Sequence, residues 1–165
     1  MTLKFESKRL IIESITDHHS ISSERLFRIL SDNVTKHLPP EWQSLSNKKQ
    51  AKELLSKRSM EGVICSLHLK SSSDFIGLLF LYGLDTEAES NDIRIGYFID
   101  ENQWGKGLIS ELIASVIKQF HERANVTSII GGVSKENIAS IKVLTKNGFV
   151  LDASENDIDF YTYRF

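Results

Sequence analysis

The chain has one cysteine, Cys65, so no disulfide can close within it. It has two prolines, adjacent at Pro39-Pro40. Charge of one sign is also missing: 20 basic against 22 acidic residues leave a net −2. A chain-wide polycation for nucleic acid is therefore not expected. No apolar run approaches the roughly 18 residues of a membrane span. The opening Met1-Thr2-Leu3-Lys4-Phe5-Glu6 carries no apolar signal core. There is no internal repeat and no low-complexity stretch. A cytoplasmic protein without metal, membrane or nucleic-acid partners is the expectation.

What is present is globular. The chain runs to 165 residues, 41% of them hydrophobic, with nine Phe, four Tyr and two Trp. That is enough to build one core, so a single domain over residues 1–165 is expected. The Pro-Pro pair reads as a bend inside it, extended in backbone and ending any helix.

Arg9-Leu10-Ile11-Ile12-Glu13 is short and β-branched and reads as a strand. Ser22 to Leu30 reads as a helix with Ser22 or Ser23 as N-cap, and Lys48 to Arg58 as a second. Val63–Lys70 and Phe75–Tyr82 are apolar strands joined by the turn cluster Ser71-Ser72-Ser73-Asp74, hence a hairpin. A polar loop from Asp85 to Asn91 leads to a strand over Asp92–Ile99. Leu108, Ile109, Leu112, Ile113, Val116, Ile117 and Phe120 then mark one face of a helix. Val126–Val133 reads as a strand, and Ile138, Ile141 and Leu144 mark a last helix. Gly148 stands where a left-handed C′ residue would stop it, with Phe149 as the apolar C″. An extra strand near Phe149-Val150-Leu151 and a closing strand over Phe160–Phe165 complete the chain. The order is β-α-α-β-β-β-α-β-α-β. It implies a mixed α+β sheet, mostly antiparallel, with one parallel pair made by the crossover from Asp92 to Val133.

Between strand and helix lies Asn102-Gln103-Trp104-Gly105-Lys106-Gly107. Two glycines one apart let the backbone turn tightly, and the helix they open has first N–H groups without internal partners. Such a loop can cradle a pyrophosphate; a plain tight turn is the other reading. A dinucleotide-binding fingerprint would put a third glycine at Ser110 and an acidic residue near the end of the next strand, and has neither. The Gly-Lys-Ser/Thr ending of a P-loop is also absent.

The strand Ile93-Arg94-Ile95-Gly96-Tyr97-Phe98-Ile99, the glycine loop and its helix resemble the acetyl-CoA motif of the GNAT acetyltransferase superfamily. So does the later run Asn137-Ile138-Ala139-Ser140 through Asn147-Gly148-Phe149. Ser7-Lys8-Arg9-Leu10 is similar to the opening Thr/Ser-x-Arg-Leu of the branch containing ribosomal-protein-alanine N-acetyltransferases. The resemblance spans nearly the whole chain. It implies a GNAT-like fold with helices on both sheet faces and a central β-α-β acetyl-CoA-binding unit. By the resemblance, backbone N–H groups from Gln103, Trp104, Gly105, Lys106, Gly107 and Leu108 would hold the CoA pyrophosphate. Tyr97, Phe98 and Ile99 would pair their backbone with the pantetheine arm between two splayed strands, and Asn137 would hydrogen-bond that arm. Asn137 is equally an N-cap. Ser140 would serve the departing thiolate, or else be a polar residue in a first helical turn.

Three departures from the family pattern stand out. The loop begins with Asn102 where Gln or Arg is common. Leu144 replaces a tyrosine common elsewhere in the superfamily, which gives Ser140 weight. Arg94 stands where a glutamate base is often found, and a cation cannot take the amine's proton. Asp92, two residues earlier on the same strand face, is a substitute base, or a solvated carboxylate paired with Arg94. His68 is a further base or an exposed strand histidine, and His37 with Trp42 could line an acceptor pocket. Cys65 alternates with Leu67 and Leu69 and reads as core.

The resemblance implies acetyl transfer from acetyl-CoA to a primary amine by direct attack, on a protein or peptide α-amine or a small molecule. The alternatives are a non-catalytic acyl-CoA-binding or regulatory domain and a nucleotide-binding module. The oligomeric state stays open, a homodimer included.

Overall fold

Phe75-Ile76-Gly77-Leu78-Leu79-Phe80-Leu81-Tyr82 is apolar without alternation, and a strand of that kind needs cover on both faces. The computed structural model describes residues 2–17, 20–85, 87–123 and 125–165. Its strands are β1 (Lys4–Glu6), β2 (Leu10–Ser14), β3 (Val63–Leu69), β4 (Phe75–Tyr82), β5 (Asn91–Ile99), β6 (Val126–Ser134), β7 (Val150–Glu155) and β8 (Ile158–Arg164). They form one eight-stranded sheet in the order β1-β2-β3-β4-β5-β6-β8-β7. The β5–β6 pair is parallel and the other pairs are antiparallel.

The helices are α1 (Ser23–Ile29), α2 (Asp32–Thr35), α3 (Pro40–Gln43), α4 (Lys48–Ser59), α5 (Leu108–His121) and α6 (Ile138–Lys146). They divide between the faces. Leu79 and Leu81 of β4 share a core with Leu112, Val116 and Phe120 of α5 and Leu144 of α6. Leu78 and Phe80 share a second core with Leu26 of α1, Trp42 of α3 and Leu55 of α4. The unbroken apolar run of β4 is thus the middle of a three-layer arrangement. The apolar face of α5 behaves as its period requires: Leu108, Leu112, Ile113, Val116 and Phe120 are buried. No helix among the described residues is long and apolar enough to cross a membrane.

Local signals set the ends of the elements. Ser22 caps α1 through the Arg25 N–H, and Asn47 caps α4 through the Gln50 N–H. At the end of α6 the Phe149 N–H donates to Leu144 O and the Gly148 N–H to Thr145 O, both at 3.1 Å. This is the Schellman pattern, and Gly148 takes the left-handed φ of +86° it needs. Phe149 folds back into the core, as an apolar C″ residue should.

The structure adds what the sequence pattern does not supply. β1 pairs with β2, and α2 and α3, of four residues each, fill the segment around the prolines. The Pro-Pro pair does more than stop a helix. Pro39 is extended, with ψ 149°, while Pro40 opens α3 at the first helical position, where a missing N–H costs nothing.

The feature that positions the site is a divergence. β5 pairs with β6 from Asn91↔Val126 to Ile95↔Gly131 and no further. Yet β5 stays paired with β4 as far as Ile99↔Gly77, and β6 with β8 as far as Ser134↔Ile158. Beyond Ile95 and Gly131 the two strands therefore part, and their facing edges have no strand partner.

Candidate active site

A cavity of about 600 Å³ opens at that divergence, a size suited to a small-molecule or cofactor site. One wall is the end of β5, Tyr97-Phe98-Ile99, followed by the glycine loop and the start of α5. Another is the start of α6 with Asn137 and Ser140. The third comes from α2 and the chain after it, with Asn33, Val34, Lys36, His37 and Leu38.

The loop is held from below by Asp100, which is buried. Its carboxylate accepts from the backbone N–H and side-chain amide of Asn102, each at 3.0 Å, and from Arg25 Nη2 at 3.2 Å. Trp104 Nε1 donates to Ile99 O at 3.2 Å, and Lys106 Nζ to Gln103 Oε1 at 3.0 Å. Gly107 is the N-cap of α5 with φ +76°, a conformation that strains any β-branched residue.

The start of α5 differs from that of most other helices here. Side chains of Ser22, Ser31, Asn47 and Asn137 cap α1, α2, α4 and α6, whereas no side chain caps α5. The Glu111 N–H donates to Gly107 O. The N–H groups of Leu108, Ile109 and Ser110 precede that first helical bond, and all three residues line the cavity. A 14-residue helix thus turns its uncapped positive end toward open space.

On the α6 side, Asn137 Oδ1 accepts from the Ser140 N–H at 3.2 Å. The Ser140 side chain is part-buried beside Tyr97. The Tyr97 hydroxyl is buried and closes no hydrogen bond. Burial pushes its ionisation up, and the neighbouring Ser140 hydroxyl pulls the other way.

Of the residues that the resemblance assigns to acetyl-CoA and to the thiolate, all but Lys106 border this cavity; of the further candidates Asp92, His68, His37 and Trp42, only His37 does. Lys106 sits in the loop but turns to Gln103. Asp92, the expected substitute base, is not part of the group. It lies near the far end of β5, roughly 16 Å along the strand from Tyr97. Its carboxylate accepts from Ser128 Oγ at 2.5 Å and Thr127 Oγ1 at 2.9 Å, rather than pairing with Arg94. Those hydrogen bonds hold it below the usual carboxylate range, which makes it a poorer base. Arg94 is exposed on β5 and does not line the cavity.

His68 is also elsewhere. Its Nδ1 lies 3.2 Å from Ser73 O and its ring tilts against Phe75. It borders a second cavity with Glu13 and Arg25. His37 does line the main cavity, but Trp42 is core, edge-on to Phe80 and Phe98. Cys65 is core as well, its thiol pushed up to about 12 by burial. No sequence pattern marks Asn33, Lys36 or Glu136 as cavity walls. Among the described residues, no group of three or more His, Cys, Asp and Glu is arranged to hold a metal ion.

A family profile described as "Acetyltransferase (GNAT) domain" matches residues 9–150. The chain is 30% identical over 99 residues to the uncharacterized N-acetyltransferase p20 of Bacillus licheniformis, covering 59% of this chain and 54% of that protein. It therefore spans about half the length of that relative. It is 26% identical over 150 residues to the uncharacterized N-acetyltransferase YoaA of Bacillus subtilis, covering 87% and 81%. In three dimensions it resembles RimL, a ribosomal alpha-N-protein acetyltransferase solved in complex with coenzyme A. The TM-score is 0.78 at 15% identity, over 98% of both chains. At that identity the likeness establishes the fold.

Proposed function

Since the chain belongs to the GNAT acetyltransferase family, we propose that it transfers an acetyl group from acetyl-CoA to a primary amine by direct attack. The acceptor class is a protein or peptide α-amine, or a small molecule with an equivalent amine. One observation carries this reading: the open edges of β5 and β6 and the uncapped start of α5 meet at a single cavity.

The residues present fit the cosubstrate. The free N–H groups of Leu108, Ile109 and Ser110 suit a pyrophosphate. The unpaired edge over Tyr97-Phe98-Ile99 suits the amide-bearing pantetheine arm, which can dock there as a peptide strand would. The Asn137 side chain, at the cavity wall, is a second polar contact for that arm. The partnerless Tyr97 hydroxyl beside Ser140 is a polar group awaiting a partner.

Acetyl-CoA, when bound, supplies an activated acetyl thioester and a thiolate that leaves. Ser140 carries a proton at Oγ that a developing thiolate can draw on, with the Tyr97 hydroxyl behind it. His37 and Glu136, both on the cavity wall, are the groups able to take the amine's proton. The rigid sheet and capped α6 hold these atoms in fixed relation, so much of the rate comes from positioning.

The test is ligand-induced stabilisation together with turnover. Acetyl-CoA well above its dissociation constant should raise the melting temperature, while NAD and ATP should not. Gly107→Val should fold yet lose the shift, because a β-branched residue at φ +76° must move the backbone that faces the cavity. CoA release with a mixed panel of amines should follow. A shift by acetyl-CoA with no release on any amine would instead mean a non-catalytic acyl-CoA-binding domain. Normal CoA binding by Gly107→Val would remove the cradle from this account.

A further inference from the structure

We infer that Arg9 is a side-chain ligand for the pyrophosphate of CoA, held beside the glycine loop by Glu111 from the edge hairpin of the sheet. This rests on the acetyl-CoA reading above and names a contact that the loop itself does not supply.

The arrangement begins at the turn between β1 and β2. Glu111 stands in the first turn of α5. Its Oε1 accepts from Ser7 Oγ at 2.5 Å and from the Arg9 backbone N–H at 2.6 Å. Its Oε2 accepts from Arg9 Nε at 2.8 Å. Burial alone would raise this carboxyl, but the hydrogen bonds from Ser7 and Arg9 outweigh it and keep it low. Ser7 Oγ also accepts from the Leu10 N–H at 2.9 Å, so the turn is fixed from within.

With Nε committed to Glu111, the guanidinium is oriented and its far edge is left over. Nη2 lies 3.7 Å from the point where a Cβ on Gly107 would stand. Neither Nη atom makes a hydrogen bond to a described residue. Arg9 stands at the rim, outside the residues that line the cavity itself, and an arginine with one edge pinned by a carboxylate and its other edge beside the N-cap of an uncapped helix is preorganised for an oxyanion of phosphate.

The charge balance supports the same assignment. A carboxylate in the first turn of α5 would repel an anion at that helix start. Arg9 neutralises Glu111 and leaves its own outward edge positive. Net charge over the whole chain is −2, so attraction for a polyanion must be local. Arg9 stands against Gly107, whereas Lys106, the cation within the loop, is occupied with Gln103, and Arg25 below it with Asp100.

The test uses three ligands that differ in phosphate content. CoA carries the pyrophosphate and the 3′-phosphate, dephospho-CoA only the pyrophosphate, and pantetheine neither. Dissociation constants are measured for the wild type, Arg9→Gln, Lys8→Gln and the double variant Arg9→Gln/Glu111→Gln. Arg9→Gln should weaken CoA and dephospho-CoA alike, by about tenfold or more, and leave pantetheine unchanged. Lys8→Gln removes the same charge one residue away and should change none of them. The double variant should recover part of the loss, because the uncompensated carboxylate is gone. If Arg9→Gln does not fold, the wild type still decides the matter. Modification of Arg9 by phenylglyoxal, mapped by mass spectrometry, should be slowed by CoA and dephospho-CoA and not by pantetheine. Unchanged CoA affinity in Arg9→Gln, an equal loss for pantetheine, or an Arg9 that CoA does not protect would each overturn the inference while the acetyl-CoA reading stands. A wild type that binds neither CoA nor dephospho-CoA would overturn both.

Discussion

The buried Tyr97 hydroxyl lies beside the Ser140 hydroxyl, and no group among the described residues meets it at hydrogen-bonding geometry. A buried hydroxyl left without a partner costs about 1–3 kcal/mol. Tyr97→Phe keeps the ring and removes that cost. The free protein should therefore be as stable as the wild type or up to about 1 kcal/mol more stable, while the turnover number falls. Thermal denaturation and steady-state kinetics check the two halves. A destabilised variant with normal turnover would mean that the hydroxyl serves the fold and not the reaction.

Ser140→Ala addresses the other member of the pair. A hydroxyl that serves a departing thiolate strengthens its contact as charge develops, so its loss should appear in turnover more than in affinity. A drop of about tenfold or more in kcat is expected, from the worth of a hydrogen bond to a charged group. The acetyl-CoA dissociation constant should move little. An unchanged kcat would leave Ser140 as an ordinary residue in the first turn of α6, beside its Asn137 cap.

The clasp at Glu111 makes a prediction about acid stability. Its folded carboxyl is held below the ordinary value of 4.5 by Ser7 and Arg9, against the opposing effect of burial. A depressed carboxyl contributes stability that is present above its unfolded pKa and is lost as the pH falls through its folded pKa. The wild type should therefore lose this contribution below about pH 4.5. Glu111→Gln never has it. The gap in urea midpoint between the two should be full at pH 6–7 and narrow as the pH falls below about 4.5. A gap that does not change with pH would show that the carboxylate's charge adds nothing beyond its shape.

Legibility in the sequence follows the length of the signal. The face of α5 from Leu108 to Phe120 runs for more than three turns, and β4 is one unbroken apolar run, so both were readable. Gly148 and Phe149 carried the end of α6 because a Schellman cap is written in adjacent residues. The four-residue helices α2 and α3 have no period to detect. For the same reason the cavity wall from Asn33 to Leu38 leaves no sequence signal beyond His37 beside the prolines. The Arg9–Glu111 pair joins residues 102 apart, and only the docking of the first hairpin on α5 brings them together. Asp92 failed for a related reason. Alternation along β5 specifies which residues share a face, but not which end of the strand meets the cavity. The divergence starts after Ile95, so residues before it lie beside β6 and away from the opening.

The proposed α-amine acceptor makes a prediction through what the cavity can do with a proton. The nucleophile must be a neutral amine, and Lys36 on the cavity wall, as an ammonium, has no lone pair with which to deprotonate it. Asp92 is outside the site and Arg94 cannot accept a proton. That leaves an imidazole and a carboxylate on the wall, His37 and Glu136. In model compounds an imidazole is a weaker base than a lysine amine by about four pK units and a carboxylate by about six, whereas an imidazole trails an α-amine by little more than one. Neutral fractions give the same ranking. An α-amine with a pKa near 7.7–8.0 is about one-tenth neutral at pH 7, and a lysine near 10.4 only about once in 2,500. The gap is roughly 250-fold, or about 3 kcal/mol, and a weak base cannot close it easily. A peptide with a free N-terminus should therefore exceed both an Nα-blocked lysine peptide and spermidine in kcat/KM at pH 7. The lysine peptide should gain on it as the pH rises to 9, because its neutral fraction is still growing where the α-amine's has levelled off. His37→Ala should lower kcat/KM for the α-amine, since solvent must then take the proton. A preference for the blocked lysine peptide or spermidine at pH 7 would sink the assignment and point to a stronger base than either wall residue.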